Sequence, residues 1–212
     1  ILGEKKTVKK ISPKQMKKFH KNQYIGKNCT LCIAGKIPDK ISSIINNSKL
    51  KDLKAKREKI NTNKEITFNK GYRNEFIPRL EGGRILKAWE LPPAKEHLSI
   101  LGAEIAATLL CEGRNSLIVK KLREERHIIE YIDIDLQILE KGGLIILDVS
   151  CSIENIKIAE REINQILNDL SKNLFTNKDL ERARNLVQNN IYFGLELSSQ
   201  ISSMLGNQAL WG

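Results

Sequence analysis

The chain has 212 residues, 41% of them hydrophobic, which supplies enough apolar side chain for a buried core and too much for a disordered chain. Its net charge of +11 is lopsided: residues 1–80 carry 21 Lys+Arg against 6 Asp+Glu, for +15, and residues 81–212 carry 15 against 19, for −4. No apolar run reaches the roughly 18 residues a membrane span needs, four cysteines are too few for a disulfide scaffold, and 5% aromatics give no stacking platform for single strands.

Ser12-Pro13 predicts a helix start, with an N-cap hydroxyl followed by proline in the first turn. Met16, Phe19 and Tyr24 form its apolar stripe. Residues 28–36 read as a buried strand ending at Gly35. That strand contains Cys29-Thr-Leu-Cys32, a C-x-x-C with no second pair for zinc, so both cysteines are expected to act as small buried hydrophobes. Pro38-Asp39 opens a second helix with Ile41, Ile44 and Ile45 on its apolar side. Residues 47–75 are polar and poorly periodic, and a linker is set at 51–75.

A new unit follows. Residues 83–91 predict a strand stopped by Pro92-Pro93. Residues 95–111 predict a helix whose apolar stretch, Leu98 to Cys111, should be mostly buried. Residues 114–126 predict a shorter basic helix. Residues 128–139 and 144–152 predict two strands joined through Glu140-Lys-Gly-Gly143 as a hairpin. Alternation places Tyr131, Asp133 and Asp135 on the solvated face, opposite Ile132, Ile134 and Leu136.

Ser152 is expected to cap a helix carrying Ile156, Ile163, Ile166, Leu167 and Leu170. Thr176 with Asp179 predicts a capping box that opens the last helix, with a bend near Gly194. Mixed order of strands and helices predicts an α+β fold, with mixed or antiparallel sheets and helices packed on one face. The chain opens on Ile1 and closes on Trp211-Gly212, so native sequence is expected beyond both ends.

The run from Gly113 to Arg126, GRNSLIVKKLREER, lies between an apolar helix and strand-like sequence. With Ile11-Ser-Pro to His20, Tyr24, Asn28, the segment ending Ala34-Gly35, and the late Asp179-Leu-Glu-Arg-Ala183, it resembles the pitrilysin-like (insulinase-type) zinc metallopeptidase family. The resemblance implies that residues 1–50 are the end of a first domain and 76–212 most of a second, non-zinc domain. The family's H-x-x-E-H motif is absent from the chain. The resemblance therefore implies zinc in the parent enzyme, none bound here, and no catalytic residue here. A missing N-terminal domain would supply the zinc-bound water that attacks the peptide.

By the same resemblance, Arg123 matches an arginine that grips substrate main chain. The family's tyrosine stands seven residues after that arginine. Here Glu130 occupies that position and Tyr131 is one further, a shift that reverses the strand face unless a bulge intervenes. Arg123 and Tyr131 are the candidate substrate-binding residues. His127-Ile-Ile-Glu130 and Glu96-His97 mimic fragments of the zinc motif, but strand and helix-start readings are favoured for them.

The expected partners are a peptide substrate, the missing domain, and a second copy or family paralogue in a dimer. An edge strand in either domain offers a place to add the peptide as a further strand. Neither nucleic acid nor a membrane span is expected, and a soluble location in cytoplasm or periplasm is. Two alternatives stay open on the sequence: a zinc-less structural or regulatory partner subunit of the same family, and a basic nucleic-acid-binding module in the N-terminal part.

Overall fold

The computed structural model describes residues 3–53, 68–172 and 175–211. They fall into two compact units: residues 1–64 with Leu195–Leu210, and Glu65–Gly194. Most of the expected linker lies outside the described residues.

The first unit holds helices α1 (Lys5–Lys10), α2 (Pro13–Gln23) and α3 (Ile41–Asn46), and the C-terminal helix α7 (Ser198–Trp211). The Ser12 cap forms as expected: its hydroxyl accepts from the Gln15 amide, and Gln15 Oε1 accepts from the Ser12 amide at 2.8 Å. Met16, Phe19 and Tyr24 are nevertheless exposed, and α2 buries no residue. Helix α3 begins at Ile41, behind Lys40, later than Pro38-Asp39 suggested.

The expected strand at 28–36 does not form. Cys29 has extended backbone angles (φ −113°, ψ 134°), but residues 29–34 join no ladder among the described residues. An apolar extended segment becomes a strand only when a second strand takes its N–H and C=O groups. Instead Cys32 lies over α7, its Cβ 3.5 Å from where a Cβ on Gly206 would stand. Cys29 is exposed and Cys32 half-buried, which corrects their reading as buried hydrophobes.

The second unit is built on a three-stranded antiparallel sheet in the order β1-β3-β2. The strands are β1 (Gly83–Leu91), β2 (Tyr131–Gln137) and β3 (Gly143–Cys151). The hairpin joins β2 to β3 as predicted, with Gln137 opposite Leu144 and Tyr131 opposite Ser150. Its inner face carries Ile85, Ile132, Leu147 and Val149 into the core. Helices α4 (His97–Cys111) and α5 (Ile156–Asp169) pack against β2 and β1, and α6 (Asn177–Gly194) packs on α4.

Gly83 makes room for α5: a Cβ there would lie 2.3 Å from Ile156 Cγ1. Lys87 Nζ reaches Glu160 at 3.3 Å across the same contact. The centre is Ile118, Val119, Leu122, Leu147, Val149, Cys151 and Ile163, each under 2% exposed. Burying such a side chain contributes about 1.5–3 kcal/mol before conformational entropy is subtracted.

Three local expectations change. Helix α4 is only half covered: Ile100, Leu109 and Leu110 are buried, but Leu98 is 87% exposed and Leu101 is open, because one face alone meets β2 and α6. The basic segment after Gly113 is wound as a π-helix over Val119–Glu125 rather than as an α-helix. Ser152 does not cap α5. Its carbonyl accepts from Asn155 in a 3₁₀ turn, and its buried Oγ has no partner among the described residues. The Thr176–Asp179 box forms in both directions, at 2.9 and 3.2 Å. The last helical stretch stops at Gly194 and resumes at Ser198.

Candidate functional site

The Gly113 run begins at the end of α4, where Gly113 takes a left-handed backbone (φ 80°). Ser116 is fully buried, and its hydroxyl donates to the Gly113 carbonyl at 2.7 Å. Three side chains converge on the neighbouring Glu112. Thr108 Oγ1 and Asn190 Nδ2 donate to its carboxylate at 2.9 and 3.1 Å, and Arg182 Nη1 donates to its carbonyl at 3.3 Å. The turn is thus tied to α6, and the helix that follows enters the core through Ile118, Val119 and Leu122.

The helix ends in an unusual way. The Leu122 carbonyl accepts from the amides of Ile128 at 2.8 Å and Ile129 at 3.4 Å. To close that loop His127 adopts φ 49°, a left-handed conformation that favours glycine. Ile128 and Ile129 are buried but precede β2, which starts only at Tyr131. Arg123 sits near the end of the π-helix, half-exposed, with Nε on Glu124 Oε1 at 2.9 Å. Arg126 instead reaches Glu162 on α5 at 2.5 Å and holds that carboxylate below its ordinary pKa.

Tyr131 heads the outer face of the sheet and is half-exposed. The register sets Arg84, Ser150 and Tyr131 in one row across the three strands, then Leu86, Asp148 and Asp133, then Ala88, Ile146 and Asp135. Arg84 grips Asp148 with two nitrogens, Nε to Oδ1 at 2.8 Å and Nη2 to Oδ2. Partial burial, then the Asp133 carboxylate, raise the Tyr131 phenol above its ordinary pKa; Asp148 adds to this and Arg84 opposes it. The expected alternation of Tyr131, Asp133 and Asp135 holds in the observed exposure.

The backbone is irregular at the head of β2. The amide of Glu130 donates to the Ser150 carbonyl at 2.9 Å, although Ser150 is the register partner of Tyr131. Glu130, just before β2, and Tyr131, its first residue, thereby both address Ser150, an arrangement like that of a β-bulge. Arg123 and Tyr131 keep different company: Arg123 has Glu124, and Tyr131 has Ser150, Arg84 and the aspartates. Arg84, Asp148 and Ser150 went unnoticed in the sequence, since a cross-strand row depends on strand order.

The histidines do not fit a zinc site. His20 stacks on Tyr24 with ring centroids 4.4 Å apart, His97 opens α4, and His127 closes the π-helix. Among the described residues no three His, Cys, Asp or Glu side chains gather as a ligand set. Burial, aided by the Asp133 charge, pushes the Cys111 thiol far up, which suppresses the thiolate a metal would need. Lys14, Lys17, Lys18 and Lys21 share one face of α2. No helix among the described residues is long and apolar enough to cross a membrane.

Residues 10–187 match the family described as the peptidase M16 inactive domain. Among solved structures, the chain is similar to a protease from Helicobacter pylori at 17% identity and a TM-score of 0.78, covering 99% of this chain and 52% of that one. It is similar to the peptidase M16 inactive domain from Pseudomonas fluorescens at 14% identity and a TM-score of 0.74, covering 99% and 50%. It is also similar to a chain of complex III2 from Candida albicans, solved with Inz-5 bound, at 15% identity and a TM-score of 0.77, covering 99% and 51%. The chain spans about half the length of each. At these identities the likeness is one of fold. No curated protein sequence matches the chain.

Proposed function

From the premise that this chain belongs to the peptidase M16 inactive-domain family, we propose that it is the non-catalytic, peptide-holding part of a zinc peptidase. The observation that carries the reading is the outer sheet face, where Tyr131 stands at a bulge beside the Arg84–Asp148 pair. A half-exposed phenol is a hydrogen-bond donor to a peptide carbonyl. Arg123, oriented by Glu124 and half-exposed, offers a second donor from the end of the helix. Neither group requires a nucleophile or a base in this chain. Their work is to hold an extended main chain in place, which lowers the entropic cost of reaction at a neighbouring centre.

On this reading the metal belongs to a segment or subunit outside this chain, which fits a sequence without H-x-x-E-H. A paired arrangement, with a second copy or a paralogue closing a chamber, follows from the same reading.

The test is equilibrium binding of a labelled, unfolded peptide to the chain, followed by fluorescence anisotropy. Tyr131→Phe and Arg123→Ala should each weaken binding about tenfold, the loss of one well-made hydrogen bond. Binding unchanged in both variants would overturn the assignment of these residues.

A further inference from the structure

We infer that the free edge of β1 is a self-complementary interface, on which a second copy of this chain pairs antiparallel about Lys87 and continues the sheet through both copies. This goes beyond the peptide-holding reading and does not depend on it.

Among the described residues β1 pairs with β3 alone, and its other edge makes no backbone hydrogen bond. The strand is nine residues long, and a row of unpaired N–H and C=O groups of that length is a template for another strand. Edges that stay single are guarded by charge. The other edge strand, β2, has such guards in Asp133 and Asp135. On β1 the side chains are instead apolar: Leu86 is 62% exposed and Trp89 42% exposed, and Ala88 is open beside them.

The charges select both the partner and the register. A two-fold axis at Lys87 sets Arg84 opposite the second copy's Glu90, and symmetry repeats the pair. Arg84 gives Nε and Nη2 to Asp148, which leaves Nη1 for a further acceptor. Glu90 is exposed and joins no ion pair among the described residues. The same axis sets Leu86 against Ala88 on the outer side and Ile85 against Trp89 on the inner side. Aromatic and β-branched side chains placed opposite one another stabilise a sheet. Lys87 meets its own copy, but its Nζ already reaches Glu160 at 3.3 Å. With the axis at Leu86, Arg84 would face Ala88, and with the axis at Ala88 it would face Pro92, so neither register makes the ion pair. A copy of β2 laid on β2 fits poorly, because pairing about Ile134 would set Asp133 against Asp135 twice over.

Sedimentation velocity of the full chain over a dilution series should show a reversible monomer–dimer equilibrium. Glu90→Gln should raise the dimer dissociation constant about 2- to 30-fold, as expected for two cross-strand charge pairs. Glu90→Arg, which sets like charges opposite, should raise it further. The register is read by mixing two chains in a Cys29→Ser, Cys32→Ser background, one carrying Leu86→Cys and the other Ala88→Cys. Mild oxidation should cross-link the two chains to each other and neither to itself. A chain that stays monomeric at every concentration would overturn the proposal, as would a dimer that Glu90→Arg leaves unchanged. Cross-linking of either chain to itself as readily as in the mixture would overturn pairing about Lys87.

Discussion

The Glu130 amide lies 2.9 Å from the Ser150 carbonyl, the group that stands opposite Tyr131 in the sheet. That contact draws the Glu130 amide onto the residue that Tyr131 faces. It lets Tyr131 lead the outer row without disturbing the ladder from Ile132 to Gln137. Tyr131→Ala should therefore weaken peptide binding about tenfold or more while changing stability by no more than about 0.5 kcal/mol, because the side chain is half-exposed. Urea denaturation of the variant beside the binding titration separates the two effects.

His127 occupies a glycine-like conformation at φ 49° to close the wide turn from Leu122. A non-glycine residue there costs roughly 1–2 kcal/mol, part of which glycine returns through its looser unfolded state. His127→Gly should raise stability by about 0.5–1 kcal/mol, read as a higher urea midpoint. A loss of stability would mean that the imidazole makes an interaction beyond its place in the turn.

Gly143 tests the hairpin. A Cβ at this position would stand 2.2 Å from the Gln137 carbonyl oxygen, a backbone atom with nowhere to move. Gly143→Ala should cost about 2 kcal/mol by overpacking, seen as a fall in the denaturation midpoint. It should also weaken peptide binding, since β2 holds its register through this turn.

Asp179 gives the chain a pH dependence of defined sign. Hydrogen bonds from Thr176 hold its carboxyl below the ordinary value of 3.8. Its stabilising effect is fully present above the unfolded-state pKa and is lost as pH falls through the folded one. Asp179→Asn should therefore be less stable than the parent chain at neutral pH, and the gap should close as the pH drops below about 4. Denaturation midpoints of both proteins across that range check the prediction.

Features written in a few adjacent residues were legible in the sequence. The Ser12 and Thr176 caps, β1, the β2–β3 hairpin and the exposure of Tyr131, Asp133 and Asp135 all follow from local chemistry and period. What depended on distant partners was not. Residues 28–36 have a strand's composition but lack a ladder among the described residues. Ser152 looks like a cap, yet its neighbour Asn155 turns to the Ile128 carbonyl and a 3₁₀ turn intervenes. Leu98 belongs to an apolar run, yet projects where nothing described covers it. The row of Arg84 beside Tyr131 exists only because β3 lies between β1 and β2, and strand order has no local signature.

The central claim is that this chain holds peptides and leaves the chemistry elsewhere. The most direct test is one preparation of the chain, supplied with zinc and a quenched fluorogenic peptide, in which anisotropy and cleavage are followed together. The account predicts saturable binding, weakened by Tyr131→Ala, with no cleavage at any zinc concentration. Zinc-dependent cleavage by this chain, or a failure to bind any extended peptide, would contradict it.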